Sequence, residues 1–594
     1  MLTISKVALV AAVLSLAPAG LMPALADDAS SSSQAPADTS TTTGGFSVQL
    51  SIPTVTAVDS TMDEAAIRDA LTGGFMKHVD DLAKLNATTI TIPEIDLTMN
   101  TVENGTAMNT QAVYKDLVLS SVKNGVAASV SIGSSQSTNP EGTFVFNGMS
   151  LTNFDIGGTL ALYSLVNGDA TAAMKPLYTA MAFSGGTFSG PKVSCSIGQV
   201  ATTEADARPL KVSIQAMMDA ANQVSAGGDT PPPAAFKTVV SFFTDLLQAF
   251  KTSPLTVGPI SCKGTGDDGK PGEFDIGGIS MDGLQPGLYP AITVKGLKFS
   301  DTDTTVSLDE AVAKATDLSQ PIAAVNAAGD DLSPAWFQAN YRKVIPAWAG
   351  LSFSGLSVDT PNPDTPSEKL SVKVDKFDLS FSDYVNGVPS KISNSASGVD
   401  VPLEQNSTDS NIQMLEALGI NRVTMGYEFS ASWDKANQAI NIDKISFNGQ
   451  DLGGFAVAAV LGNATADLFD SDANTESNAA LGLTVKSIKI DANDAGIGDK
   501  LMPMLAQQQG ADAATYRAQA AATAEAATIE MLGSTDAARQ LGAALSDFVA
   551  GKAKSITVNI TSKDPAGVAM PALMAASDDP STLQGQVDIT GSAQ

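Results

Sequence analysis

Between positions 423 and 433 every second residue is apolar: Val423, Met425, Tyr427, Phe429, Ala431 and Trp433. A period of two places all six on one face of an extended strand, and Thr424, Glu428, Ser430 and Ser432 fall on the other. The chain turns over 434–438 and returns through Ile440 and Ile442. The same grammar recurs elsewhere. Leu117 to Ile132 reads as strand, turn, strand about Asn124-Gly125, and Asn386-Gly387 follows the run Leu370 to Phe381. Asn-Gly between alternating runs is a strong hairpin signal, because both residues accept positive φ. Hairpins at this density predict an antiparallel meander with one apolar face.

Helices interrupt the pattern. Thr61 and Glu64 have capping-box spacing, and Gly73-Gly74 separates that helix from a second over 75–85. Phe236, Val239, Val240, Phe243, Leu246, Leu247 and Phe250 recur at helical spacing behind Pro231-Pro232-Pro233. Ser333-Pro334 opens another helix, and Ala-rich helices are expected over 511–532 and 535–549, with a final strand over 555–561. The expected fold class is α+β: an extended, curved antiparallel sheet of diverged helix-plus-strands units, with amphipathic helices covering one face.

Two internal likenesses support the repeated unit. Pro176-x-Tyr178-x4-Phe183-Ser184-Gly185 returns as Pro346-x-Trp348-x4-Phe353-Ser354-Gly355. Asp-Ile/Leu-Gly-Gly begins at Asp155, Asp275 and Asp451, where the glycines suit a tight turn or bulge and the aspartates bond their own backbone.

The first 26 residues read as a cleavable signal peptide: Lys6, an apolar run from Val7 to Leu16, and Ala24-Leu25-Ala26 as cleavage site. Residues 27–45 hold little to bury and read as a disordered linker. Two helix/β regions are expected after it, 46–330 and 331–594. The expected location is the periplasm, or outside the cell, with no integral membrane span. Cys195 and Cys262 are the only cysteines, and outside the cytoplasm they are expected to form a disulfide, with two free thiols as the alternative. A net charge of -29 argues against nucleic acid and anionic membrane surfaces.

Leu418 to Asn463, with Arg208-Pro209-Leu210 and the two Pro-x-aromatic copies, resembles uncharacterised signal-bearing envelope proteins of Gram-negative bacteria. That resemblance carries no activity. A looser likeness, resting on repetitive strands, is to AsmA-type envelope proteins, whose long grooved sheets are associated with lipid; it transfers no residues.

The motifs of common chemistries are absent. The one histidine, His78, stands one turn before Asp81 and is read as part of a solvated helix face. Gly350-Leu351-Ser352-Phe353-Ser354 fails the nucleophile-elbow pattern at its last position. The acidic runs at Asp267, Asp470 and Asp491 fail calcium-loop spacing. Neither catalytic residues, metal nor cofactor is expected. Tyr178 and Trp348 are candidate lining residues of an apolar pocket, against a packing role between helix and sheet. The leading expectation is a non-enzymatic envelope protein with a binding or scaffold role and an apolar ligand or envelope protein as partner. The alternatives are a periplasmic carrier of lipid or another apolar ligand, and a carboxylate-dependent hydrolase.

Overall fold

The computed structural model describes residues 39–594 apart from 44–45, 104–105, 228–231, 267–268, 330, 363–368, 405–407, 579 and 584. The segment read as a signal peptide lies outside the described residues, as does the expected linker through residue 38. The chain is mixed α and β, mostly antiparallel β. It forms two compact units: residues to Thr304 with Ala315–Asn340, and Thr305–Lys314 with Tyr341–Gln594. The division is interleaved, unlike the single cut between residues 330 and 331. A strand of the second unit precedes the last helices of the first, so no one chain break separates two sets of contacts.

In the first unit, four long strands run antiparallel in sequence order: Ala87–Glu103, Thr106–Lys123, Val126–Asn139 and Gly142–Asp155. The turn at Asn124-Gly125 takes φ of 47° and 77°, the left-handed pair that suits a two-residue hairpin. Helix Glu64–Leu71 is capped by Asp63, not Thr61; Asp63 accepts from the Ala66 amide at 2.7 Å, while Thr61 accepts from that of Asn86. Its Ile67 and Ala70 join Ile90, Ile92, Leu85 and Val122 in a buried cluster. Thr39–Thr43, expected in the linker, forms a strand on Phe46–Ser51. Threonine favours extended backbone, and an edge strand needs no apolar residue to hold it.

A second cluster in this unit forms under helices Ile214–Ala226 and Pro233–Ala249. Asp245 faces inward and is 6% exposed; Arg208, itself 12% exposed, grips it at 2.7 and 3.3 Å. The Lys211 amide donates to the same carboxylate at 2.8 Å. Burial alone pushes the Asp245 carboxyl up, but these donors and the charges of Arg208 and Lys211 outweigh it and hold it below the usual carboxylate range.

Among the described residues of the second unit, ten strands form a meander in which each is antiparallel to the next. Its order is Thr305–Ala313, Gly350–Pro361, Lys369–Val385, Val388–Pro402, Arg422–Asp434, Ala439–Gly449, Gly453–Gly462, Thr484–Asp494, Ser555–Ser562 and Val587–Ala593. Asn386-Gly387 closes one hairpin with φ of 48° and 75°. Ser555–Ser562 is not the last strand: helix Met570–Asp578 and strand Val587–Ala593 follow it. Helices Ala513–Leu532 and Asp536–Val549 pack closely because their contacts are small. Gly542 lies so near the first helix that a Cβ there would stand 3.1 Å from the Glu525 carbonyl oxygen.

The internal likenesses do not share one local structure. The first Pro-x-aromatic copy lies across three short strands, Lys175–Tyr178, Ala180–Phe183 and Gly186–Ser189, whereas the second enters the long strand Gly350–Pro361. Asp155 caps a helix, Asp275 lies within a strand, and Asp451 occupies a turn at φ 59°.

Candidate functional site: an open apolar sheet face

Cross-strand partners share a face, so the register of the second unit assembles rows of side chains across the sheet. One row runs Phe353, Phe377, Ala396, Tyr427, Phe447 and Phe455. At the usual strand spacing six such positions span about 24 Å. The rings of Phe353 and Phe377 stack at 5.0 Å, and those of Phe447 and Phe455 lie 6.4 Å apart. A parallel row carries Leu351, Leu379, Asn394, Phe429, Ile445 and Val457. The opposite face, one residue along, reads Ser352, Asp378, Ser395, Glu428 and Ser446. There Glu428 pairs with Lys444 at 2.8 Å, and Lys314 holds Asp378 at 2.6 Å. Burial raises the Asp378 carboxyl, yet bonds from Lys314 and Ser380 bring it below its ordinary range.

The apolar rows are partly open: most of their members are half-buried, Ala396 is buried, and three large side chains stand exposed. Phe455 is 48% exposed, Tyr427 41% and Ile445 38%, against 2% for Ile90 and 1% for Ile92 under the first unit's helix. Cover is fullest at the last strands. The first row continues from Phe455 through Ala492 to Ile556, which is 6% exposed. Helix Asp536–Val549 packs there, and a Cβ on Gly591 would stand 2.4 Å from Leu541 Cδ1. The face is also closed beside Trp433. Its ring lies 4.8 Å from Phe469, and its indole N–H donates to the Ala464 carbonyl at 2.7 Å. Arg342 ties that corner down, donating to the Phe469 carbonyl and to Glu476. The expected helical cover is thus partial, because the Ala-rich helices pair mainly with each other and with the sheet's edge.

Cys195 and Cys262 form the disulfide, opposite each other on adjacent strands of the first unit with Cα atoms 4.0 Å apart. They continue a row containing Phe144, Phe188, Phe274 and Phe299. Tyr178 and Trp348 belong to different units. Tyr178 is half-buried between two core clusters of the first unit, and burial raises its hydroxyl's pKa. Trp348 lies 5.8 Å from the Phe381 ring, and its carbonyl accepts from the Tyr384 hydroxyl at 2.8 Å. His78 is less solvated than a free helix face implies: its side chain is 19% exposed and joins two helices, with Nε2 3.0 Å from Asp69 and Nδ1 3.7 Å from Asp81.

The acidic runs have structural partners. Asp472 caps helix Ala473–Leu481, and Asp491 accepts from Thr557 at 2.6 Å; Asp267 lies outside the described residues. Among the described residues no cluster of three or more His, Cys, Asp or Glu is placed to hold a metal ion, and no helix is long and apolar enough to cross a membrane.

Sequence reasoning found the strands that carry the open face but missed the exposure of that face. The signal was present as large apolar side chains on successive strands with too few amphipathic helices nearby to cover them. A family model described as "Uncharacterized protein" matches residues 446–594, within the second unit. No curated protein matches the chain.

Proposed function

We propose that this is an exported, non-enzymatic envelope protein with a binding role, and that its working surface is the uncovered apolar face of the second unit. The ligand is apolar, with the acyl chain of a lipid as the class that fits. The carrying observation is the change along one row, from 48% exposure at Phe455 to 6% at Ile556. A face that helix Asp536–Val549 covers at one end, and leaves open at Tyr427, Ile445 and Phe455, has apolar surface available to a ligand. Contiguous exposed apolar surface is uncommon on proteins that bind nothing. The Cys195–Cys262 disulfide supports an oxidising compartment. The resemblance to signal-bearing envelope proteins, and the looser one to AsmA-type sheets, agree with this reading.

The test is binding of a fluorescent fatty acid to the full chain, with native mass spectrometry of protein taken from its own envelope. Tyr427→Asp with Phe455→Asp should weaken the probe at least tenfold, since each puts a charge into the row. Ser446→Asp, on the polar face, should leave it unchanged. Equal binding by all three proteins would remove the face from the function.

A further inference from the structure

The polar face of the second unit is not flat. Along strand Arg422–Asp434 the residues on that side are Arg422, Thr424, Gly426, Glu428, Ser430 and Ser432. Gly426 brings no side chain, and the face is hollowed there into an open cavity of about 640 Å³. Ser395 and Ser397 line one side of it, and Asn448 and Gln450 the other. Ion pairs wall both ends: Arg422 with Asp400 at 2.7 Å, and Glu428 with Lys444 at 2.8 Å. A second hollow of about 320 Å³ lies on the same face, lined by Asn441, Ser487, Asn559 and Thr561. The register shows the shared side. Asn448 leads across the sheet through Gly454 and Asn493 to Ser555, and Asn559 and Thr561 follow Ser555 at even spacing. Beside this hollow Lys489 is paired with Asp491 at 2.8 Å.

Pockets for apolar ligands are walled by aliphatic and aromatic side chains around a few polar groups. These hollows reverse that proportion. Among the described residues the side chains of Ser395, Ser397, Asn448, Gln450, Asn441 and Asn559 make no hydrogen bond within the protein. Hydroxyls and amides both donate and accept, so they match a ligand whose groups do the same. The nearby charges are spent on one another, which leaves no unpaired charge to select an ionic ligand. Two hollows on one face suit successive sugars of one chain.

We propose that the polar face of the second unit binds a neutral oligosaccharide, seated over Gly426 between Ser397 and Asn448. The site lies on the side of the sheet opposite the open apolar rows and does not rest on the reading of those rows as a lipid site.

Affinity electrophoresis of the full chain tests this, in native gels cast with dextran, mannan, xylan or mixed-linkage β-glucan, and with alginate as the anionic comparison. At least one neutral polymer should retard the protein, and alginate should not. Asn448→Ala should weaken the retarding polymer about fivefold, the loss of one net hydrogen bond. Ser397→Leu, which fills the hollow and removes a hydroxyl, should weaken it at least tenfold. Both side chains are exposed, so each variant should keep the natural unfolding midpoint and the natural affinity for a fluorescent fatty acid. Retardation by none of the four neutral polymers would overturn the proposal. Retardation undiminished in both variants would overturn it as well, as would stronger retardation by alginate than by any neutral polymer. None of these results would touch the apolar face, whose own test is fatty-acid binding.

Discussion

Ile92 and Phe455 are both apolar residues in long antiparallel strands, and both have apolar partners across the sheet. Ile92 is 1% exposed and Phe455 is 48% exposed. The strands around them obey the same rule of alternation, so the difference lies in what lies on top. In the first unit, helix Glu64–Leu71 delivers Ile67 and Ala70 onto the face, and large aliphatic residues close into clusters. In the second unit most apolar side chains buried below a tenth are those of alanines, such as Ala439, Ala464, Ala506, Ala521 and Ala538. Its helices spend their contacts on one another and on the terminal strands. One region uses its apolar face as a core, and the other leaves part of that face at the surface.

Breaking the first unit should be far more costly than altering the open face of the second. The largest effect is expected at the buried ion pair. Asp245→Ala leaves Arg208 charged, buried and unpaired, and should lower stability by about 3–5 kcal/mol in denaturant unfolding. The pH dependence has a definite sign. The folded-state pKa of Asp245 is depressed, so its contribution is complete above the ordinary carboxylate value. It is lost as pH falls from there through the lower folded value. An acid titration of unfolding should therefore steepen below about pH 4 in the natural chain, and Asp245→Ala should flatten that slope.

Opening the disulfide comes next. It closes a segment with a sequence separation of 67, and replacing both cysteines with serine should cost about 4 kcal/mol in the chain-entropy picture. The loss should appear in the first unit's unfolding transition. Ile92→Ala should cost about 3 kcal/mol, because the cavity it leaves lies under a helix. Phe455→Ser should cost less than about 0.5 kcal/mol, since the ring is already half in water. A loss at Phe455 as large as that at Ile92 would erase the contrast between the units and show that the face is covered in solution.

Much of the local structure was legible in the residues. Asn124-Gly125 and Asn386-Gly387 form their hairpins because few other residue pairs tolerate two successive positive φ angles. Ser333 caps the helix that Pro334 begins, through its bond to the Trp336 amide. Local chemistry also misled. Thr61 has capping-box spacing, yet Asp63 wins the cap, since a carboxylate two residues nearer the helix accepts the Ala66 amide directly. The recurring Asp-x-Gly-Gly sequences became a cap, a strand and a turn because their neighbours in space differ.

The site was harder to read. Alternation assigns Tyr427, Phe447 and Phe455 to one side of a sheet, but burial depends on which element packs against that side. The amphipathic pattern of 536–549 says that the helix needs a partner, and not that it will choose the strands ending at Val587–Ala593. Arg208 and Asp245 are 37 residues apart, and no spacing rule joins a strand end to a helix interior at that range.

The sequence by itself determined the strands, the hairpin turns, the helix starts and the division of side chains into an apolar and a polar face. Each of these follows from backbone sterics and the period of side-chain direction, which act over a few residues. Only the tertiary structure decided which part of the apolar face is covered and that the two cysteines stand opposite each other. Those outcomes depend on contacts between distant segments, where the shape of one surface selects what fits another.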